Sequence, residues 1–381
     1  MKGGIFYIIL FSFFSVLLAV LCSCSSNADA LPVAPDKVDI TMSFDVAIPA
    51  SGGEELSRGI SYGSDDGSLY DRYVDIARDN YRIYFFSATD NTFITRFTTQ
   101  DIVAENVKDF RYYNFNGRVP DALVDCTNPD APCLKPFKIV VLANYTQAYR
   151  DDLLVPGVTT IDQLRNADWT TYNGLTNFQL SPNDKRLIPF FGVHEYSSVP
   201  VADRKVVKLS DPVVLIRAMA KVWVYLNASD ATISSCRIVR RNTRGYCIPN
   251  AVNSHTDYNT PTQNIDYSAM FNPLTSYNGN ALDMYLASTK DAICYVPEYA
   301  NVGDTSSDCY LVVQFSFTDP SDDSYRIYFT EYKSDGMTPD FTKPISLYRN
   351  CNYNFRVTIV KGKIKIEVNN WENAFNLPFE F

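Results

Sequence analysis

The most constraining stretch of the sequence is an alternating segment near its start. Every second residue is apolar, and polar or small residues stand between them; the apolar set is Val38, Ile40, Met42, Phe44, Val46 and Ile48. Because successive side chains of an extended strand point to opposite faces, this period predicts a β-strand with one buried face. Pro49 and the small, acidic run at 51–55 end the strand.

A loop of small and polar residues follows this strand. Arg58 stands alone in the loop, and Gly59 comes directly after it. A protease could cut such a loop and separate the strand from the rest of the chain. We therefore expect residues 38–48 to be a removable part of the fold, although Arg58 as an ordinary solvated loop residue stays an open alternative.

The composition favours strands over helices along the rest of the chain. Aromatic residues make up 14% of the 381 residues, with 26 Tyr and 24 Phe, and aromatic side chains are enriched in β-structure. Short strand patterns recur in both halves, separated by turn residues, with clear examples at 81–87, 137–144, 310–317, 355–360 and 363–368. This pattern predicts an all-β chain with two tandem antiparallel β-sandwich domains, 38–226 and 227–381.

The N-terminus has the pattern of an export signal. Lys2 precedes an apolar run at 5–21, and Ser23 stands directly before Cys24. A small residue before a cysteine is typical of a bacterial lipoprotein signal, so we expect residues 1–23 to be the signal peptide. Lipidated Cys24 would then anchor the protein, with 24–37 as a tether. An ordinary secretory signal cut near Ala28 or Ala30 is the alternative.

The cysteines suggest disulfides rather than a metal site. In an exported protein, Cys126 could pair with Cys133 across one short loop, and Cys236 with Cys247 across another. None of the cysteines has zinc-finger spacing. With only two histidines, His194 and His255, a His-rich metal site is excluded, and we expect neither a metal nor another cofactor.

Charge and motifs exclude two further classes of function. The formal net charge is −9, which argues against nucleic acid as a partner. Motifs of catalytic serines, zinc proteases, phosphate-binding loops and calcium loops are missing from the sequence, and its aspartate pairs lie in turn-like contexts. We therefore expect the protein not to be an enzyme.

A family resemblance rests on a series of short segments in a fixed order. They are Ser57-Arg58-Gly59, YRIYFF at 81–86, VVLAN at 140–144, IPFFG at 188–192, RAMAKVWVYL at 217–226, YVPEY at 295–299, the set Ile345, Arg349, Asn350 and Tyr353, and GKIKIEV leading into Asn370-Trp371. Together with the lipoprotein start at Cys24, this series resembles the fimbrillin family, the subunits of type V pili of Gram-negative anaerobes.

The resemblance implies a fold, a location and an assembly mechanism. It implies two transthyretin-like β-sandwiches, export as a lipoprotein of the cell outer membrane, and polymerisation into a fimbria with other pilus subunits as partners. An Arg-specific protease would cut between Arg58 and Gly59. The first strand would leave, and the C-terminal strand of another subunit would fill the groove by donor-strand exchange.

The C-terminal tail has a side-chain pattern suited to the donor role. Its apolar residues alternate and are Phe375, Leu377, Phe379 and Phe381. A strand that fills the groove left by Val38–Ile48 with six inward side chains gives a gross interaction of about 10 kcal/mol. The tail as this subunit's own last edge strand is the alternative.

The length of the tail bears on the role of the subunit. Only ten residues follow Trp371, which is short for a donor segment and favours an anchor or tip over a stalk subunit. A host or bacterial surface ligand is a further expected partner. The alternative function is a lipidated surface protein that binds a glycan or host ligand without polymerising.

Overall fold

Nearly all regular structure in the described part of the chain is β-strand. The computed structural model describes residues 40–49, 76–107, 110–125, 127, 132–144, 149–173, 188–201, 205–250, 268–274, 281–317, 323–360 and 363–369. All of these belong to one compact unit, Ile40–Phe381. The prediction of an all-β fold is confirmed.

The first half of the chain contributes thirteen of the described strands. They are β1 Thr41–Pro49, β2 Tyr81–Ser87, β3 Phe93–Arg96, β4 Thr99–Val107, β5 Phe110–Arg118, β6 Val124–Asp125, β7 Cys133–Leu134, β8 Phe137–Ala143, β9 Thr171–Asn173, β10 Phe190–Tyr196, β11 Val199–Pro200, β12 Val206–Lys208 and β13 Val213–Val214.

The second half contributes thirteen more. They are β14 Ile216–Arg217, β15 Met219–Asn227, β16 Ala231–Val239, β17 Arg244–Tyr246, β18 Leu282–Asp283, β19 Tyr285–Leu286, β20 Asp291–Pro297, β21 Tyr310–Phe317, β22 Asp323–Tyr328, β23 Thr330–Tyr332, β24 Pro339–Pro344, β25 Asn352–Val360 and β26 Lys363–Asn369.

Helical structure in the described ranges is short. Helix α1 spans Ile161–Arg165 and begins with a capping box, in which Thr160 and Gln163 satisfy each other's backbone N–H groups. Single 3-10 turns occur at Asp121–Leu123, Asp151–Leu153 and Asp168–Thr170. Among the residues described, no helix has the length and apolar character needed to cross a membrane.

Four larger sheets organise the strands. Sheet 1 has the order β12-β1-β5-β4, with β13 also paired to β1; sheet 2 is β14-β10-β8-β2-β3; sheet 3 is β19-β20-β15-β25-β26; and sheet 4 is β18-β16-β21-β22. Pairing is mostly antiparallel. The exceptions among these sheets are β1 with β12 and β13, and β15 with β25, which run parallel.

Sheets 1 and 2 face each other across an aromatic core. Tyr81 of sheet 2 meets Phe115 of sheet 1 with ring centroids 5.2 Å apart, and Phe85 meets Phe97 at 5.7 Å. Strand β8, in the middle of sheet 2, is buried at all seven positions. This burial confirms that its near-continuous apolar sequence marks a strand covered on both faces.

Sheets 3 and 4 enclose a second core. Phe329, which follows β22 directly, packs edge-on against Phe355 of β25 with centroids 5.1 Å apart. The Lys361-Gly362 pair between two strand patterns predicts a hairpin, and β25 and β26 do pair antiparallel, from Asn354↔Asn369 to Val360↔Lys363.

The long apolar run from Val213 to Leu226 predicts a single strand, but it forms three strands interrupted at Leu215 and Ala218. Strand β13 pairs in sheet 1, β14 in sheet 2 and β15 in sheet 3. Strand β15 pairs with β20 and β25 of the second half. The division into domains at 226 and 227 stays a prediction.

A buried ion pair joins two of the segments that carry the family resemblance. The Arg349 side chain has no exposed surface, and its Nη2 lies 2.6 Å from Glu298 Oε2. Arg349 Nε donates to Glu298 Oε1 at 3.1 Å, and Nη1 donates to the Cys247 carbonyl at 2.8 Å. The backbone N–H of Asn272 also donates to Glu298. The pair therefore ties four separate segments of the chain together.

Replacing Arg349 by Met will leave the Glu298 carboxylate buried without its cation. We expect the variant to lose about 3–5 kcal/mol of unfolding free energy, because an unpaired buried charge is costly. Urea unfolding followed by circular dichroism measures the loss. The double variant Glu298→Leu/Arg349→Met should recover part of it, and a single variant as stable as the wild type contradicts the role of the pair.

His194 lies on β10 in a largely buried setting. Its ring centroid is 4.3 Å from that of Tyr196, and its Nδ1 is buried without a hydrogen-bond partner. Burial lowers the pKa of His194 below its ordinary value, against a smaller opposing effect of Asp211 and Glu195. The neutral imidazole is therefore the form that the fold accommodates.

This lowered pKa predicts a loss of stability in weak acid. As pH falls below the unfolded-state pKa of about 6.5, the imidazole of His194 binds a proton more readily in the unfolded chain than in the folded chain. The unfolding free energy therefore falls. Between about pH 7.5 and pH 5.5 (roughly one unit either side of that pKa), His194→Gln should make the unfolding free energy less dependent on pH in urea titrations. His255→Gln is the matched control, and equal slopes in both variants would refute the assignment.

Candidate strand-exchange site

Strand β1 occupies the interior of sheet 1 and is bonded along both of its edges. On one side it pairs antiparallel with β5, from Thr41↔Arg118 to Pro49↔Phe110. On the other side it pairs parallel with β12 at Thr41–Ser43 and with β13 at Val46 and Ala47. Removing β1 would therefore open a groove between β5 on one wall and β12 and β13 on the other.

The second wall is interrupted, yet it still bonds to the backbone of β1. The N–H of Thr41 donates to the Lys205 carbonyl at 2.9 Å, the N–H of Leu209 donates to Ser43 at 3.0 Å, and the N–H of Leu215 donates to Ala47 at 2.8 Å. Residues 209–212 separate the two short strands. The groove thus has one continuous wall and one wall in two parts.

The apolar face of β1 is buried as its sequence period predicts. The described members of the alternating set are each at most 1% exposed: Ile40, Met42, Phe44, Val46 and Ile48. Val38 lies outside the described residues. The location of these side chains confirms a strand with a buried apolar face, and Ala47 on the other face is buried as well.

Phe44 stands at the centre of this face. Its ring stacks on Phe115 with centroids 5.8 Å apart and an interplanar angle of 19°. It also meets Phe97 at 5.4 Å. The floor of the groove is therefore aromatic, which offers an incoming side chain a large apolar contact area.

The polar face of β1 adds a specific hydrogen bond. Asn114 Nδ2 donates to Asp45 Oδ1 at 2.7 Å, and Asn116 Nδ2 donates to Asn114 Oδ1 at 2.8 Å. These side chains lie on neighbouring strands of sheet 1, since Asp45 is opposite Asn114 in the register. The bonds help to set the register of β1 against β5.

Several residues singled out in the sequence fall outside the described part of the chain. They are Cys24, Arg58, Gly59, Cys126 and the tail residues Phe375, Leu377, Phe379 and Phe381. Their roles in lipid attachment, cleavage and strand donation stay predictions, as does a Cys126–Cys133 disulfide.

The disulfide suggested between Cys236 and Cys247 is not formed. Cys236 Sγ lies 3.2 Å from Met284 Sδ in the core, whereas the Cys247 thiol donates to the Phe190 carbonyl at 3.2 Å. Loop length alone suggested the pair, but the two side chains face different parts of the core. Burial raises the pKa of the Cys236 thiol well above its ordinary value, so this thiol stays protonated and unreactive.

Two parts of the groove were not found from the sequence. The wall formed by β12 and β13 lies far from β1 along the chain, and each strand is too short to stand out. Phe97 and Phe115 do not belong to a recognisable sequence motif, although Phe115 lies in the alternating sequence of β5. Within the described ranges, no cluster of His, Cys, Asp or Glu side chains could hold a metal ion.

A solved fimbrial protein has a similar fold. The tip fimbrial protein Mfa3 from Porphyromonas gingivalis, with a C-terminal truncation, is 11% identical and superposes with a TM-score of 0.50, over 87% of this chain and 98% of that one. A fimbrial assembly protein from Parabacteroides distasonis is 14% identical with a TM-score of 0.47, over 87% and 96%. At 11% identity, the likeness to Mfa3 supports the fold alone.

A family assignment comes from the sequence itself. The family of fimbrillin-A associated anchor proteins Mfa1 and Mfa2 matches residues 78–376, so this chain belongs to that family. No curated protein matches the chain. Membership of a fimbrial anchor family confirms the resemblance drawn from the short segments, and it confirms a structural protein rather than an enzyme.

Phe44→Ala should destabilise the protein by about 3–5 kcal/mol, because it removes a large side chain from a closely packed aromatic cluster. Ser43→Ala, one position earlier and on the opposite face, should change the unfolding free energy by less than about 0.5 kcal/mol. Urea titration of both variants measures the difference. Equal effects would mean that β1 does not pack through its Phe44 face.

Proposed function

We propose that this protein is a subunit of a cell-surface type V pilus, an anchor or a tip, that assembles by donor-strand exchange. The observation that carries the proposal is β1, a strand with a buried apolar face that is bonded on both edges and lies at the start of the fold. Membership of the fimbrillin-A associated anchor family supports the pilus context.

The physical chemistry of β1 supports exchange rather than simple loss. Without β1, the facing edges of β5 and of β12 and β13 would lack backbone partners, and buried unpaired N–H and C=O groups are costly. The aromatic floor at Phe97 and Phe115 would also meet water. A strand from another subunit satisfies both needs at once, which is β-augmentation.

The donor in this proposal is the tail of a neighbouring subunit. The alternating apolar residues of the tail in this chain are Phe375, Leu377, Phe379 and Phe381. They have the same period of two as the buried face of β1, so a similar tail could place its aromatic side chains where Phe44 and its neighbours lie. The tail of this chain would serve as donor to the next subunit.

Processing of the N-terminus distinguishes a lipid-anchored subunit from a cleaved one in this proposal. Cys24 is the proposed lipid attachment site, and it would hold the protein at the outer membrane on the cell surface. Cleavage between Arg58 and Gly59 would release β1 together with the lipid, because both lie on the same side of the cut. An anchor keeps both, and a processed subunit keeps neither.

The partners follow from this scheme. They are other pilus subunits through exchanged strands, the outer membrane through the lipid, and a host or bacterial surface ligand at the exposed surface. Nucleic acid is not among them, given the net charge of −9.

Arg58→Ala and deletion of residues 372–381 test the two ends of the exchange. N-terminal sequencing of protein from cells should find Gly59 in a processed subunit, and a blocked Cys24 in an anchor. In a processed subunit, Arg58→Ala should abolish the N-terminus at Gly59. The control Arg72→Ala, in the same stretch of sequence, should leave that N-terminus unchanged.

The deletion should remove the protein from the subunit ladders seen on unboiled gels. If Arg58→Ala and the deletion both leave the surface polymer unchanged, strand exchange through these segments is refuted.

A further inference from the structure

Two arginines converge on one tyrosine ring at the surface of sheet 4. The guanidinium carbon of Arg240 lies 5.3 Å from the ring centroid of Tyr310, and that of Arg326 lies 5.2 Å from it. Tyr328 is 5.8 Å from Tyr310 between centroids, and Phe341 is 5.0 Å from Tyr328. These five residues are called the Tyr310 surface.

The register of sheet 4 places this cluster on its outer face. Tyr310 of β21 stands opposite Tyr328 of β22, while their neighbours Leu311 and Ile327 are fully buried on the inner face. The side chain of Arg326 is exposed, and the other members of the cluster are half-buried. The cluster is thus a solvent-facing surface and not a part of the core.

Local bonds hold both arginines in place. Arg240 has a left-handed backbone with φ of 58°, and its Nη1 donates to the Thr305 carbonyl. Arg326 forms a side-chain hydrogen bond to Tyr328, which raises the pKa of the guanidinium. The two cations therefore stay charged and close to one ring.

Neither guanidinium forms an ion pair with another residue in the described part of the chain, although Arg240 has a weaker electrostatic interaction with Asp304. The two carbons lie within 10.5 Å of each other, the sum of their distances to Tyr310. Two like charges at this separation repel, and an anion between them would relieve the repulsion.

We propose that the Tyr310 surface binds a carboxylated saccharide. Guanidinium groups recognise carboxylates through two parallel hydrogen bonds, which Arg240 and Arg326 can supply. Tyr328 and Phe341 offer aromatic surface against which the apolar face of a sugar ring can pack. Although β22 is the outer strand of sheet 4, the cluster presents side chains on the face of the sheet, whereas an extended peptide would pair with a backbone edge.

This binding goes beyond the proposed strand exchange and does not depend on it. The proposed strand exchange uses sheet 1, whereas the Tyr310 surface is built around β21 and β22 of sheet 4, with Phe341 from β24. Failure of one proposal therefore leaves the other standing.

Isothermal titration of the mature chain with trigalacturonate tests the proposal. We expect Arg240→Gln and Arg326→Gln each to weaken binding at least about tenfold, as for the loss of a charge-assisted hydrogen bond. Arg118→Gln, which removes an exposed guanidinium from sheet 1, should leave the affinity unchanged. The methyl ester of trigalacturonate should bind weakly or not at all.

Thermal melts of each variant exclude a loss of folding as the cause. No binding of millimolar trigalacturonate by the wild type would overturn the proposal. An equal loss in Arg118→Gln would also overturn it, because the effect would then come from net charge alone. Tighter binding of an oligoglutamate peptide than of trigalacturonate would assign the surface to an acidic protein instead.

Discussion

The bonding of β1 along both edges is the constraint on which sheet 1 depends. Strands β5, β12 and β13 come together only through β1, since neither β12 nor β13 pairs with β5. Sheets 2, 3 and 4 take no backbone pairing from β1. Strand β1 is therefore essential to sheet 1 and takes no part in the backbone pairing of the other three sheets. Loss of β1 would break backbone hydrogen bonds mainly in sheet 1.

The second half of the chain is stabilised in another way. Arg349 and Glu298 are buried together and bond to the backbone of three further positions, at Tyr246, Cys247 and Asn272. Buried ion pairs add little net stability over apolar side chains of the same size. Their directional hydrogen bonds fix which segments meet, and here they position the loops between sheets 3 and 4 independently of β1.

Local patterns in the sequence were sufficient to predict some elements of the fold and not others. The period of β1 and the continuous apolar run of β8 each identify their strand, because the physical cause lies within a few residues. The parallel pairing of β1 with β12 joins residues far apart in the chain, so no local pattern could reveal it. The Cys236–Cys247 pair failed because loop length does not report side-chain direction.

The unequal walls around β1 have a consequence for the direction of any guest strand. An incoming strand that runs in the direction of β1 would make antiparallel bonds with the nine residues of β5 and parallel bonds with β12 and β13. An incoming strand in the opposite direction would pair in parallel with β5, the long wall of the groove, and parallel pairing is slightly weaker per residue. Under the proposed strand exchange, the groove would favour an incoming strand that runs in the direction of β1, and a filament built from such joints would be polar, with every subunit pointing the same way.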